Sequence, residues 1–290
     1  MNKRVETPFF YPPGHFYSPL GDRSEVSEYL SSDHYARQID HTDRLIDFEA
    51  QSWLWDRISP LQVKFPFEEQ KGFRYYARNN QFTYFDASIL SGILNILDPG
   101  RIVEIGSGFS TAAMFDTFER MSNPSIEQLT TIDIDMSRLD ELNPPDYCER
   151  INAPVQSIDP AYFAQLGEGD LLFIDTSHVM KTGSDVHYEY LHILPALKPG
   201  VVVHIHDIHY PFEYCRQWAK SENRSWNEVY LVDMLLTYSK DFKMLFFNDA
   251  FKQCLADDLR EPGDMFDRFE AFSAKRFHSL CGSLWLVKTG

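Results

Sequence analysis

From Arg101 to Val287 short apolar runs alternate with amphipathic stretches, and that alternation narrows the folds open to the chain. Arg101–Ile105, Leu129–Ile134, Leu171–Ile174, Val201–His206, Phe242–Phe247 and Leu284–Val287 read as strands, and Arg150–Val155 as a weaker one. Between them Thr111–Met121 and Val186–Leu197 have helical spacing, and two further helices fall within 212–239. Strands separated by helices imply an α/β fold: a doubly wound, mostly parallel seven-stranded sheet, Rossmann-like, covered on both faces. Residues 76–290 form this domain in the sequence reading. Residues 1–75 form an arm and helices packing on it. The arm is irregular to about residue 40 apart from a short helix near Arg23–Leu30, and 43–59 is a second helix. Residues 85–97 make a third, ended by Pro99-Gly100.

In an open α/β sheet, ligands bind beyond the carboxyl ends of the strands. The first end here is Glu104-Ile105-Gly106-Ser107-Gly108, the second Asp133-Ile134-Asp135. The third leads into Val155-Gln156-Ser157, the fourth is Asp175-Thr176-Ser177-His178 and the fifth His206-Asp207-Ile208-His209. Each carries a polar or glycine cluster. Gly106 and Gly108 permit positive φ and a close ligand approach, and the helix that follows offers free N–H groups; a plain strand-to-helix turn is the other reading. Asp133, or Asp135 beside it, suits the paired hydroxyls of a ribose. Glu104 enters the turn as a buried acid and needs a partner; a cationic group such as an α-amino group would serve. Thr111 replaces the third glycine of the dinucleotide fingerprint.

These residues resemble the class I S-adenosylmethionine-dependent methyltransferases over roughly residues 75–290. Val103–Gly108 matches their first motif, with Ser110 where a third glycine often stands, and Asp133 matches their second-strand acid. The resemblance implies S-adenosyl-L-methionine as cofactor, with Glu104, Gly106, Ser107 and Gly108 at its methionine part, Asp133 at the ribose and Gln156 near the adenine. A finer, more distant likeness is to the catechol O-methyltransferase-like branch. Asp175 matches its first metal-binding acid, His178 its base position, and His206-Asp207 its second pair. Asn80 and Asp86-Ala87 resemble the segment before its first motif. Histidine and aspartate in place of acid and amide alter the oxygen ligand set of Mg²⁺, so a divalent metal is left open and no metal ligand is assigned.

O-methylation of a small-molecule hydroxyl is therefore expected, with His178, Asp175, His206 and Asp207 as catalytic candidates. His178 is the candidate base because an imidazole ordinarily titrates near neutrality; a loop histidine without a role is the alternative. His204 and His206 share one strand face and Asp207 the other, so those side chains are not expected to converge. The competing readings are an NAD-linked oxidoreductase, a non-catalytic binding protein with a degenerate site and, more weakly, a metal hydrolase.

A net charge of −16 disfavours a nucleic-acid partner. No run of about 20 apolar residues is present, so no membrane span is expected. Four scattered cysteines and an N-terminus without a signal-peptide run predict a cytoplasmic protein with reduced thiols. The aromatic arm, with Phe9, Phe10, Tyr11, Phe16 and Tyr17, could line a pocket, pack on the domain, or join two copies as a homodimer.

Overall fold

The structure, a computed structural model, describes residues 10–254 and 281–290; Phe9 of the aromatic arm lies outside them. Seven strands form one sheet: β1 (Arg101–Ile105), β2 (Gln128–Asp133), β3 (Cys148–Asn152), β4 (Leu171–Ile174), β5 (Val202–Ile205), β6 (Phe242–Phe247) and β7 (Leu284–Lys288). Their order is β3-β2-β1-β4-β5-β7-β6. The first five are parallel, and β7 runs antiparallel between β5 and β6. The sheet is thus mixed, with one reversed strand inserted in a parallel array.

Burial explains which strands were plain in the sequence. Every residue of β4 and β5 is buried, as expected where helices cover both faces. Edge strand β3 is only half-buried and carries Glu149 and Arg150. It ends at Asn152 rather than Val155, because Pro154 leads into a 3₁₀ turn over Val155–Ser157. Leu90, Phe115, Phe173 and Trp285 belong to the apolar layer on one face of the sheet, Ile174, Ile193, Val203 and Phe247 to the other.

The N-terminal region differs from expectation. Asp33–Asp43 is a helix, capped by Ser32, whose low apolarity hid it; a second begins at Phe48, where the Asp47 side chain accepts the Ala50 N–H. Ile58, Phe65 and Tyr75 are buried in the same layer as Phe173 and Trp285. The predicted helix at 186–197 relaxes into a π turn over Glu189–Ile193 before Pro195. Another π turn, Gln217–Glu222, precedes the helix Glu228–Tyr238. No helix among the described residues is long and apolar enough to cross a membrane.

Helix Tyr84–Leu97 packs on Ile58 at Gly92, where an added Cβ would stand 2.8 Å from the Ile58 Cβ and 2.9 Å from its carbonyl oxygen. Gly92→Ala gains up to about 1 kcal/mol of helix propensity. Overpacking against backbone costs roughly 1–3 kcal/mol and prevails. The urea unfolding midpoint is therefore expected to fall; an unchanged or raised midpoint would show that the Ile58 contact yields freely.

Candidate active site

The parallel register sets the site. Ile105 pairs with Ile132 on one side and Ile174 on the other, and Ile174 pairs with Ile205. One residue further along, Asp133, Gly106, Asp175 and His206 therefore stand in a row across four strands. The Gly106, Asp175 and His206 N–H groups continue the ladders to Ile132, Ile105 and Ile174. Gly106 has φ +86°, and an added Cβ would overlap the Asp175 carbonyl oxygen. The close approach that requires glycine here is made by the neighbouring strand.

The turn after β1 is closed by its own side chains. Fully buried Glu104 accepts hydrogen bonds from Ser110 Oγ at 2.7 Å and Thr111 Oγ1 at 2.6 Å; Thr111 Oγ1 in turn accepts the Gly108 N–H at 2.9 Å. The partner this acid needs is internal, which corrects the expected ligand amine: the carboxylate is enclosed beneath the turn. Burial pushes its pKa up to about 8. Asp133 Oδ2 accepts from the Ser107 N–H at 2.8 Å and its hydroxyl at 2.9 Å. Its other oxygen takes only the Asp135 N–H at 3.1 Å. A cavity of about 530 Å³ lies along this edge, lined by Gly106, Ser107, Asp133, Gln156, Asp175 and Thr176 among others. Gln156 donates to the Gly183 carbonyl at 3.0 Å. Gly108 faces a different groove, beside Arg138.

A second cavity, about 310 Å³, is bounded by Asn80, Asp86, Asp175, His206, Asp207 and Trp218 among others. Asp175 is the wall the two cavities share.

Behind that wall lies a charge network. His178 Nδ1 is 2.9 Å from Glu228 Oε2, and its Nε2 is 3.5 Å from Asp175 Oδ1 and 3.4 Å from Asp207 Oδ2. His206 Nδ1 is 3.5 Å from both Asp175 Oδ1 and Asp207 Oδ1, and its Nε2 is 3.7 Å from Asp86 Oδ2. The sequence expectation that Asp207 points away from His206 is overturned, because β5 ends at Ile205 and Asp207 takes φ +56°, which breaks strand alternation. His204 leaves the group: it stacks on Phe173 with ring centroids 3.7 Å apart, and both its ring nitrogens are buried without a hydrogen-bond partner.

Burial by itself lowers the pKa of an imidazole and raises that of a carboxyl. For His178, burial is outweighed by Asp175, Glu228 and Asp207, and its pKa rises to about 10. His206 is likewise driven well above the usual histidine range by Asp175 and Asp207. Asp175, despite its own burial, is held far below the usual carboxylate range by His206 and His178. Both imidazoles are therefore held toward their charged form by these carboxylates. His178 also borders neither cavity, since Asp175 and Asp207 stand in front of it. The expectation of a free base at His178 is corrected on both counts.

Glu228 was not singled out among the candidate site residues. It is fully buried, bonded by Tyr190 Oη at 3.1 Å as well as facing His178. The Asn227 and Glu228 N–H groups donate to the His178 carbonyl, which straps this helix start to a loop residue of φ +58°. An acid in the first turn of an apolar helix was the available signal. Asp86 was noticed only through resemblance; it accepts from Thr83 Oγ1, Asn248 Nδ2 and the Gly282 and Ser283 N–H groups. Among the described residues no three His, Cys, Asp or Glu side chains converge to hold a metal ion.

Comparison with known proteins identifies a domain. A family model described as a methyltransferase domain matches residues 103–208, from β1 to just past Asp207. An uncharacterised protein of Archaeoglobus fulgidus is 30% identical over 174 residues, covering 54% of this chain and 74% of its own. Among solved structures, the O-methyltransferase TomG of Streptomyces achromogenes, involved in tomaymycin synthesis and bound to S-adenosylmethionine, aligns at 15% identity, covering 84% of this chain and all of its own, with a TM-score of 0.47. An O-methyltransferase of Bacillus cereus bound to S-adenosylhomocysteine aligns at 11% identity over 73% of this chain and 84% of its own, with a TM-score of 0.44. The methyltransferase model covers the strand ends that build the site, so residues 103–208 of this chain are a methyltransferase domain.

Proposed function

We propose that this enzyme methylates a hydroxyl of a small-molecule acceptor, with the cofactor in the cavity beside Asp133 and the acceptor in the cavity beside Asp207. The single observation behind this reading is that the two cavities meet at one residue, Asp175. In-line transfer requires donor and acceptor to be held on opposite sides of a shared boundary.

S-adenosyl-L-methionine bound there would supply an electrophilic methyl group on its sulfonium. Asp133 keeps an oxygen open to the larger cavity while Ser107 fixes its orientation, an arrangement suited to ribose hydroxyls. Asp175 offers negative charge at the boundary, where a cationic group is stabilised. In the smaller cavity Asp175 and Asp207 accept the hydrogen bond of the acceptor hydroxyl. The proton released as its oxygen is methylated passes to one of these carboxylates and from it to solvent, to which the Asp175 side chain is open. Glu228 fixes the His178 ring and holds its Nδ1 proton, a positioning role. A sulfonium bound beside Asp175 would weaken the carboxylate hold on both imidazoles and lower their pKa.

Two measurements test this. Calorimetric titration with S-adenosylhomocysteine is expected to give micromolar-range binding, about ten-fold or more weaker in Asp133→Ala, with NAD silent; binding of NAD instead would sink the cofactor assignment. Imidazole C–H signals followed by NMR are expected to place the His178 midpoint near 10. Glu228→Gln removes one of its carboxylates and should lower that midpoint by about one unit or more. S-adenosylmethionine should lower it further than the uncharged S-adenosylhomocysteine does. A midpoint near ordinary histidine values, indifferent to the cofactor's charge, would remove His178 from the mechanism.

A further inference from the structure

Along the wall of the acceptor cavity, Arg224 has no part in the chemistry above, yet it is built in with care. It is the one Lys or Arg among the described residues lining this cavity. Its guanidinium carbon lies 3.9 Å from the Trp218 ring centroid and 4.6 Å from that of Trp226, so both aromatic faces hold it flat. Its Nε donates to Glu222 at 2.6 Å, and its backbone N–H to the Trp218 carbonyl at 3.0 Å. Trp226 packs in turn on His178, with ring centroids 4.6 Å apart. The segment carrying Arg224 is tied to the N-terminal helices through Lys220–Ser27 and Arg216–Ser31 hydrogen bonds.

Hydrogen bonds among the described residues use only the Nε of this guanidinium. The two terminal amino groups remain as a planar fork whose natural match is a carboxylate. A cationic acceptor is disfavoured, because Arg224 already covers the tryptophan faces that would receive it. A phosphate dianion is disfavoured by Asp86, Asp175 and Asp207 around the same cavity. A single negative charge, kept at the Arg224 end, avoids both penalties.

We infer that the acceptor is a hydroxy acid, its carboxylate held by Arg224 while its hydroxyl reaches Asp175 and Asp207. This rests on the proposed function and narrows the substrate class of the same site. The test uses the full chain loaded with S-adenosylhomocysteine and titrated with para-hydroxybenzoate or its neutral counterpart para-hydroxybenzamide. The carboxylate is expected to bind at least about ten-fold tighter than the amide. Arg224→Met, which still fills the tryptophan faces, should abolish that preference and leave S-adenosylhomocysteine affinity unchanged; Arg224→Lys should retain part of it. Equal affinities, a preference that survives in Arg224→Met, or no binding of either probe to the loaded protein would overturn the inference alone. Failure to bind S-adenosylhomocysteine at all would overturn the proposed function and this inference with it.

Discussion

The contact between Gly106 and the Asp175 backbone is the constraint on which the site depends. β1 and β4 are neighbours in space but separated in the chain by two strands. Their carboxyl ends come together only because no Cβ stands between them. With that approach made, parallel register carries Asp133, Asp175 and His206 into one row without further instruction. The pairing also marks where the strand order turns from descending to ascending, the place where open α/β sheets hold ligands.

The second organising term is electrostatic. Two imidazoles and four carboxylates, Asp86, Asp175, Asp207 and Glu228, share a mostly buried volume. Isolated charges there would be costly, and only a closed set of partners makes the arrangement tenable. That accounts for Glu228, which lies behind the site, and for Asp86 at the edge of the smaller cavity; both are fully buried. It also explains why residues that look like ready bases in the sequence hold their protons in the fold. Asp86, Asp175 and Asp207 face the cavities and form the outermost layer of the set.

Much of this could be read from the residues in order. β1, β4 and β6 fall where their apolar runs fall, and the strand-end clusters identify Asp133, Asp175, His206 and Asp207. What escaped reading was long-range or conformational. Glu228 lies 50 residues from the His178 it orients, and nothing local in its helix start advertises that pairing. The turn of Asp207 toward His206 depends on a left-handed backbone residue, which strand periodicity does not encode. Glu104 drew attention as an acid in want of a partner; its actual partners, Ser110 and Thr111, were visible but were read only as replacements for a third glycine. Asp33–Asp43 was missed because capping and tertiary contacts, rather than an apolar stripe, sustain it.

The placement of β7 carries a consequence for the order in which the enzyme comes into being. Among the described strands β6 pairs with β7 alone, so it cannot enter the sheet until β7 has been made. The N–H groups of Gly282 and Ser283, just before that strand, bond to Asp86 some 196 and 197 residues earlier. The row from Asp133 to His206 can be laid down by the parallel strands alone, whereas the smaller cavity is completed only when Cys281 and Gly282 have been made. During translation the chain thus acquires the cavity edge at Asp133 before the wall at Gly282.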